Sequence, residues 1–340
     1  MTTPARTDFW ALERGNRRQT ALLVVVFIAL FATLGYGLDF VVGDLQVIQG
    51  RLVGFPGLTL AALIIGSIQS VVSYYGGASL VLLSVHAREL TPDTPKHQMV
   101  LDVVREMALA ANMPVPKAYI IDDPAPNAFA TGRDPGHSVV CVTAGLVEEM
   151  DREEMQGVLG HEMAHVRDYD IRTMMMIAVM VGGIAMLADF LYRWMWFGGF
   201  GGSRRRGSGD RDSGEAGMLI AIAVFILAAL APIFSQLLAM AVSRQREYLA
   251  DAASVEFTRN PRALLRALEH IARTESPLRS ASRGIAHLFI VNPLEGARED
   301  DEGFFANLLS THPPLTRRIS RLSALAGEAG TASQSGASQA

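Results

Sequence analysis

The sequence predicts a mainly α membrane protein in which four apolar helices flank one soluble domain, itself assembled from two separate blocks of chain. Three observations predict it. The 340 residues are 50% hydrophobic with a mean hydropathy of +0.24. Charged residues make up 19%, below the roughly 25% of an ordinary soluble chain. The apolar residues also fall in long runs separated by polar stretches, which excludes a wholly disordered chain. A formal net charge of -4 offers no basic body for nucleic acid. The single cysteine, Cys141, cannot form an internal bridge, so a disulfide-stapled secreted fold is excluded; it reads as a buried thiol in an apolar strand.

A bilayer core about 30 Å thick needs roughly 20 apolar residues in a helix. Ala21 to Leu38 is uncharged and follows Arg6, Arg14, Arg17 and Arg18, so it reads as a signal-anchor and not a cleaved signal. Leu58 to Ser84 is also uncharged. Met174 to Phe197 is apolar as far as Ala188, then carries Asp189 and Arg193, spaced to pair on one helical face, and the interfacial Trp194 and Trp196. It reads as a full span or half of a re-entrant hairpin, with a buried helix of the soluble domain as the alternative. Met218 to Val242 is interrupted only by Pro232 and Gln236.

Four arginines precede the first segment and one, Arg51, precedes the second, which places the N-terminus and the soluble blocks in the cytoplasm of a multi-pass protein of the cell membrane. Arg204, Arg205, Arg206 and Arg211 sit against this rule, in a loop that the topology puts outside. The expected division is residues 1–84 with two membrane helices, 85–173 as a first soluble block, 174–242 as a membrane hairpin with a Gly- and Arg-rich loop, 243–325 as a second soluble block, and 326–340 as a disordered tail.

The chemistry is concentrated in His161-Glu162-Met163-Ala164-His165, within a helix expected from about Arg152 past Ile171. Residues four apart share a helical face, so His161 and His165 can reach one metal through their ring nitrogens. Glu162, about 100° round, can reach a water there without being a ligand. Neutral imidazoles suit zinc, and a catalytic site needs a third protein ligand. The best candidate lies in Ser243 to Ala253, where Glu247 and Asp251 share a face. Glu247 can ligate while Asp251 accepts a hydrogen bond from a ligand histidine. A solvated charged face balanced by Arg244 and Arg246 is the alternative.

Five pieces in order resemble the HtpX family of integral-membrane zinc metalloproteases, relatives of the CAAX prenyl proteases. They are Asn127-Ala-Phe-Ala-Thr-Gly132, Val142-Thr-Ala-Gly-Leu146, Val158-Leu-Gly-His-Glu-Met-Ala-His165, Arg246-Glu-Tyr-Leu-Ala-Asp-Ala252 and Ser310-Thr-His-Pro-Pro-Leu-Thr-Arg-Arg-Ile319. The resemblance implies a cytoplasmic zincin-like α+β metalloprotease domain holding one Zn2+ on His161, His165 and Glu247, with Glu162 as catalytic base. It also implies a role in protein quality control, with damaged or misfolded membrane proteins as substrates. By similarity to the prenyl proteases, His312 would hydrogen-bond the oxyanion with Arg318 as helper; a helix entry with an exposed histidine is the alternative. Asn127, Ala128, Phe129, Ala130 and Thr131 precede the short apolar run Ser138 to Thr143 and are the candidate edge strand for pairing with a substrate backbone, with a plain turn as the alternative. His165 lies nine residues before Met174 and Glu247 five after Val242, so at 1.5 Å per helical residue both lie within roughly 15 Å of the bilayer. That favours membrane-protein substrates. A CAAX-type processing protease and a non-enzymatic membrane scaffold with a structural zinc site are the rival readings. The first would carry more spans; the second would want four protein ligands and no base.

Overall fold

The computed structural model describes residues 9–42, 45–194, 244–274, 285–291 and 313–337. The fourth apolar segment, the Gly- and Arg-rich loop and His312 lie outside the described residues. The chain opens with helix α1 (Phe9–Val42), a short antiparallel hairpin of β1 (Leu45–Ile48) and β2 (Arg51–Gly54), and helix α2 (Gly57–Ser84). Among the described residues two helices, Arg14–Gly37 within α1 and Gly57–Ser84, are long and apolar enough to cross a membrane. Ile64, Ile65, Ile68, Val71 and Val72 of α2 are exposed, as are Leu22 and Val25 of α1. Such a stripe suits lipid and would be a liability in water.

The two helices approach closely. A Cβ on Gly35 would lie 2.7 Å from the Leu58 carbonyl oxygen and the Thr59 Cα, so only glycine permits this crossing. Just beyond, the Asp39 carboxylate accepts hydrogen bonds from the backbone N–H groups of Leu58 (2.8 Å) and Thr59 (2.9 Å), satisfying the open N-terminus of α2.

The soluble part is built on a four-stranded sheet of order β3–β4–β6–β5. Its strands are β3 (Arg88–Glu89), β4 (Lys117–Ile121), β5 (Ala128–Gly132) and β6 (Ser138–Thr143). β4 and β6 run parallel, while β3 and β5 pair antiparallel with them, which leaves β5 on an edge. Cys141 on β6 is buried and its thiol is pushed up by that burial, which makes it inert packing.

Helices α3 (Pro95–Ala110), α4 (Ala144–Glu149), α5 (Arg152–Arg167), α7 (Arg244–Thr258), α8 (Pro261–Arg273) and α9 (Leu315–Ala337) complete this part, with α6 (Asp170–Trp194) leading away between the two blocks. Their starts are encoded locally. Thr94 caps α3 ahead of Pro95, Asn260 caps α8 ahead of Pro261, and Asp151 with Glu154 forms a reciprocal capping box on α5. Both blocks share one core: Val158, Leu159 and Met163 of α5 pack in the same cluster as Leu264, Leu268 and Ile271 of α8 and Leu322 of α9. A second cluster, Phe27 and Phe31 of α1 with Met175, Met176, Met180 and Ile184 of α6, joins the first membrane helix to α6.

One expectation is corrected. The helix read as continuous from Arg152 past Ile171 breaks after Arg167. Tyr169 adopts a φ of 63°, the left-handed region, and α6 starts afresh at Asp170. The turn redirects the chain and brings Asp170 back toward the end of α5.

Candidate metal centre

Helix α5 buries nearly everything from Met155 to Val166, so its histidines can be polar only where another element meets them. That element is α7. The contact between them is lined by small residues, Ala164 against Ala250 and Ala253, and the Ser254 hydroxyl donates to the Gly157 carbonyl at 2.6 Å. The close approach puts Glu247 and Asp251, one turn apart on α7, against His161 and His165, one turn apart on α5.

Three donor atoms converge. His161 Nε2 and His165 Nε2 are 3.2 Å apart, and the two Glu247 oxygens lie 3.6 Å from the first and 3.4 Å from the second. Zinc bonds of 2.0–2.1 Å at tetrahedral angles require donors about 3.3 Å apart, so the triangle already has the right size. The tautomers agree. His161 Nδ1 faces the Asp251 carboxylate at 3.0 Å, and His165 Nδ1 faces that of Asp170 at 3.2 Å. Carboxylates only accept, so each Nδ1 carries a hydrogen, which leaves each Nε2 to face the centre. Donor atoms gathered this closely in a buried site call for a cation among them, a proton on His165 Nε2 or a metal ion in its place, and their spacing fits a metal ion.

The electrostatics separate the two histidines, leaving a proton on one that a metal ion would displace. Burial, joined by the nearby Arg318 cation, pushes His161 down to about 4. At His165 burial is outweighed by the hydrogen bonds of Asp170 and Glu247, which raise it well above the ordinary value. Burial pushes Glu162 up to about 7, although it accepts a hydrogen bond from the Ala130 backbone N–H. Asp251 and Asp170 stay below the ordinary carboxylate value because their cationic and histidine partners overcome the cost of burial.

The family model described as peptidase family M48 matches residues 95–326. A curated protein named "Protease HtpX homolog" from Lactobacillus helveticus is 39% identical over 90% of this chain and 96% of its own. Another of that name, from Caldanaerobacter subterraneus subsp. tengcongensis, is 39% identical over 94% of this chain and 99% of its own. The chain belongs to the HtpX proteases of peptidase family M48. A solved structure titled "Crystal Structure of S. mikatae Ste24p" aligns with a TM-score of 0.47 at 16% identity, covering 92% of this chain and 66% of that one.

As an HtpX protease the chain is a membrane metalloprotease, and the structure gives each sequence-derived site residue except His312 a place. His161, His165 and Glu247 meet as described, Glu162 lies beside them, and Asp251 faces His161. Arg318, read from sequence as an oxyanion helper, is 1% exposed and lies at the centre, its Nη1 3.5 Å from Glu247 and its Nη2 3.4 Å from His161 Nδ1. Its Nε and Nη2 donate to the two Asp251 oxygens at 3.0 and 2.6 Å, and Nη1 donates to the Ile290 carbonyl at 2.9 Å. As placed, it positions Asp251.

Along the candidate edge strand, the Asn127 carbonyl bonds back to β6 through the Thr143 N–H, and its side-chain amide donates to the Val291 carbonyl. The Ala128 carbonyl already accepts from the Ile290 N–H at 2.9 Å. The next outward donor, the Ala130 N–H, is held by Glu162, so outward backbone groups not given to these partners begin at the Ala130 carbonyl.

Sequence reasoning missed Asp170 and the segment around Ile290. Asp170 is five residues after His165, off the spacing that a continuous helix would use, and becomes its partner only through the turn at Tyr169.

Proposed function

We propose that this chain is a zinc endopeptidase that hydrolyses peptide bonds of damaged or misfolded membrane proteins at the cytoplasmic face. One Zn2+ per chain would be held by His161, His165 and Glu247. The observation that carries the reading is the buried triangle of metal-binding donor atoms at tetrahedral spacing, with the Glu162 carboxyl beside it.

Bound there, the ion supplies Lewis acidity for polarising a carbonyl and activating water. The chain's own residues do the rest. Glu162, pushed up to about 7, is poised to take a proton from the attacking water and return it to the leaving amine near neutral pH. Asp251 and Asp170 keep both histidines in the tautomer that binds through Nε2. The backbone of β5 from the Ala130 carbonyl onward is the rail on which a substrate strand would pair, a mode that asks little of substrate sequence. His312 would add an oxyanion donor. Support for the cytoplasmic face comes from α1: its N-terminal end, carrying Arg14, Arg17 and Arg18, lies beside the centre, where Asn16 donates to the Asp168 carbonyl at 2.6 Å.

The test pairs metal content by mass spectrometry on detergent-purified protein with cleavage of a membrane-protein substrate, with and without chelator, beside Glu162→Gln. One zinc per chain, chelator-sensitive cleavage and an inactive variant that keeps its zinc are expected. A folded preparation without metal, or near-wild-type cleavage by Glu162→Gln, would overturn the reading.

A further inference from the structure

Asn16 sits in the first membrane helix, yet it is 6% exposed and its partners belong to the metal centre. Its Nδ2 donates to the Asp170 carboxylate at 2.8 Å and to the Asp168 carbonyl at 2.6 Å. Its Oδ1 accepts from Arg246 Nη1 at 3.0 Å, and the same guanidinium nitrogen lies 3.1 Å from Asp170 Oδ1. Asp170 Oδ2 is the acceptor facing His165 Nδ1. One carboxylate therefore has one oxygen fixed by Asn16 and Arg246 and the other turned to a metal-binding histidine. Arg246 comes from the residue just before Glu247, so the cluster ties α1, the start of α6 and the start of α7 at a single point.

We propose that Asn16 is a positioning residue for the metal centre: α1 sets the orientation of His165 through Asp170, so the site reaches full metal affinity only when the first membrane helix is docked on the soluble domain. This rests on the zinc-ligand reading given above. Asp170 opens α6 immediately after the left-handed Tyr169, where the helix's own hydrogen bonds do not fix its carboxylate, and Asn16 and Arg246 hold the oxygen that His165 does not use. Without Asn16, the carboxylate keeps Arg246 alone and can swing toward it, away from His165. A carboxylate that orients a ligand histidine typically governs metal affinity by 10–100-fold, and a group one step further out is expected to take about tenfold.

A neighbouring residue supplies the control. Thr20, one turn along α1, is also buried; its hydroxyl donates to the Asn16 backbone carbonyl at 2.9 Å and accepts from that of Thr173 at 3.0 Å, but no hydrogen bond joins it to the Asp170 carboxylate. A loosening of α1 against α6 in general would follow from either substitution; only Asn16 reaches the carboxylate.

The experiment measures zinc affinity of the full-length detergent-purified protein by competition with a chromophoric chelator, together with the visible spectrum of the cobalt-loaded form and the apparent Tm of the metal-free form. Asn16→Ala is expected to bind zinc about tenfold more weakly and to shift the cobalt spectrum. Thr20→Val should stay within about twofold of wild type. Asn16→Ala combined with Asp170→Asn should bind no more weakly than Asp170→Asn alone, because the two act in series. Should Asn16→Ala not fold, Asn16→Ser keeps a polar group on α1 that is too short to reach Asp170 and is read in its place. Wild-type zinc affinity in the folded variant, equal losses for Asn16→Ala and Thr20→Val, or additive losses in the double variant would each overturn the proposal. A wild type that binds no zinc, or a His165→Ala that binds it undiminished, would instead overturn the ligand assignment.

Discussion

Replacing Arg318 with methionine removes a cation from beneath the metal site while keeping much of its volume. The guanidinium makes two charge-assisted hydrogen bonds to Asp251, one to the Ile290 carbonyl, and lies 3.5 Å from Glu247, all in a place closed to water. Removing one partner of such a buried pair costs about 3–5 kcal/mol, because the carboxylate left behind keeps only the His161 Nδ1–H and loses the cation that offset its burial. Asp251 now lies below its ordinary value because Arg318 and His161 overcome burial. A depressed carboxylate stabilises the fold above its unfolded pKa, and the contribution is lost as pH falls through the folded value. In Arg318→Met that depression disappears, so acid sensitivity should move to higher pH. His161 Nδ1 would face a carboxyl inclined to protonate, and zinc affinity should fall with the apparent Tm. Scanning fluorimetry of the purified protein across pH, with chelator competition for zinc, reads both. Combining Arg318→Met with Asp251→Asn sharpens the test: removing both charges should recover part of the lost stability. A single variant with wild-type Tm and zinc affinity, or a double variant less stable than the single, would refute the ion-pair account.

Three other expectations follow from the same structure. Gly157→Ala would put a Cβ 2.4 Å from the Leu264 backbone nitrogen and 2.6 Å from the Ala263 carbonyl carbon, forcing α8 off α5. Overpacking of about 1–3 kcal/mol or more should outweigh the roughly 1 kcal/mol that alanine gains over glycine in a helix, so the apparent Tm should fall; an unchanged or higher Tm would show that α8 shifts freely. His312→Ala should lower kcat by about 10²–10³ with zinc content unchanged, as loss of one oxyanion donor does, and a wild-type kcat would remove His312 from the site. Glu162→Gln should abolish turnover at every pH while retaining metal, measured by the zinc stoichiometry of the inactive protein.

What was legible in the sequence is what is local. His161 and His165 are one turn apart on one helix, Glu247 and Asp251 one turn apart on another, and helical geometry alone says that each pair shares a face. Membrane helices announce themselves by the length of their apolar runs, and the strand Ser138–Thr143 by its short apolar pattern. The partners of those pairs were not legible because they depend on meetings between distant segments. Asn16 reaches Asp170 across 154 positions and Arg246 across 230. Arg318 was placed by its spacing from His312, but it is Asp251, 67 residues away, that determines its orientation. Tyr169 was opaque for another reason: a non-glycine residue at positive φ has no compositional mark, and Arg-Asp-Tyr-Asp reads as continuing helix.

The same distinction explains how a metal site is kept rigid at the edge of a bilayer. Each ligand histidine is held from behind by a carboxylate, and each carboxylate by a cation from a different element: Asp251 by Arg318 of α9, Asp170 by Arg246 of α7. Both backing pairs are nearly closed to solvent, so neither is screened as a surface pair would be. They differ in what else they touch. The Asp251 pair is contained within the soluble domain and also holds the Ile290 carbonyl, whose N–H neighbour covers the start of the β5 edge. The Asp170 pair also holds Asn16 of the membrane helix. One histidine is thus coupled to the segment that covers the start of β5, and the other to the first apolar helix. Disturbing Arg318 should therefore weaken metal binding of the full-length protein equally in detergent and in lipid, whereas disturbing Asn16 should matter in proportion to how firmly α1 is docked.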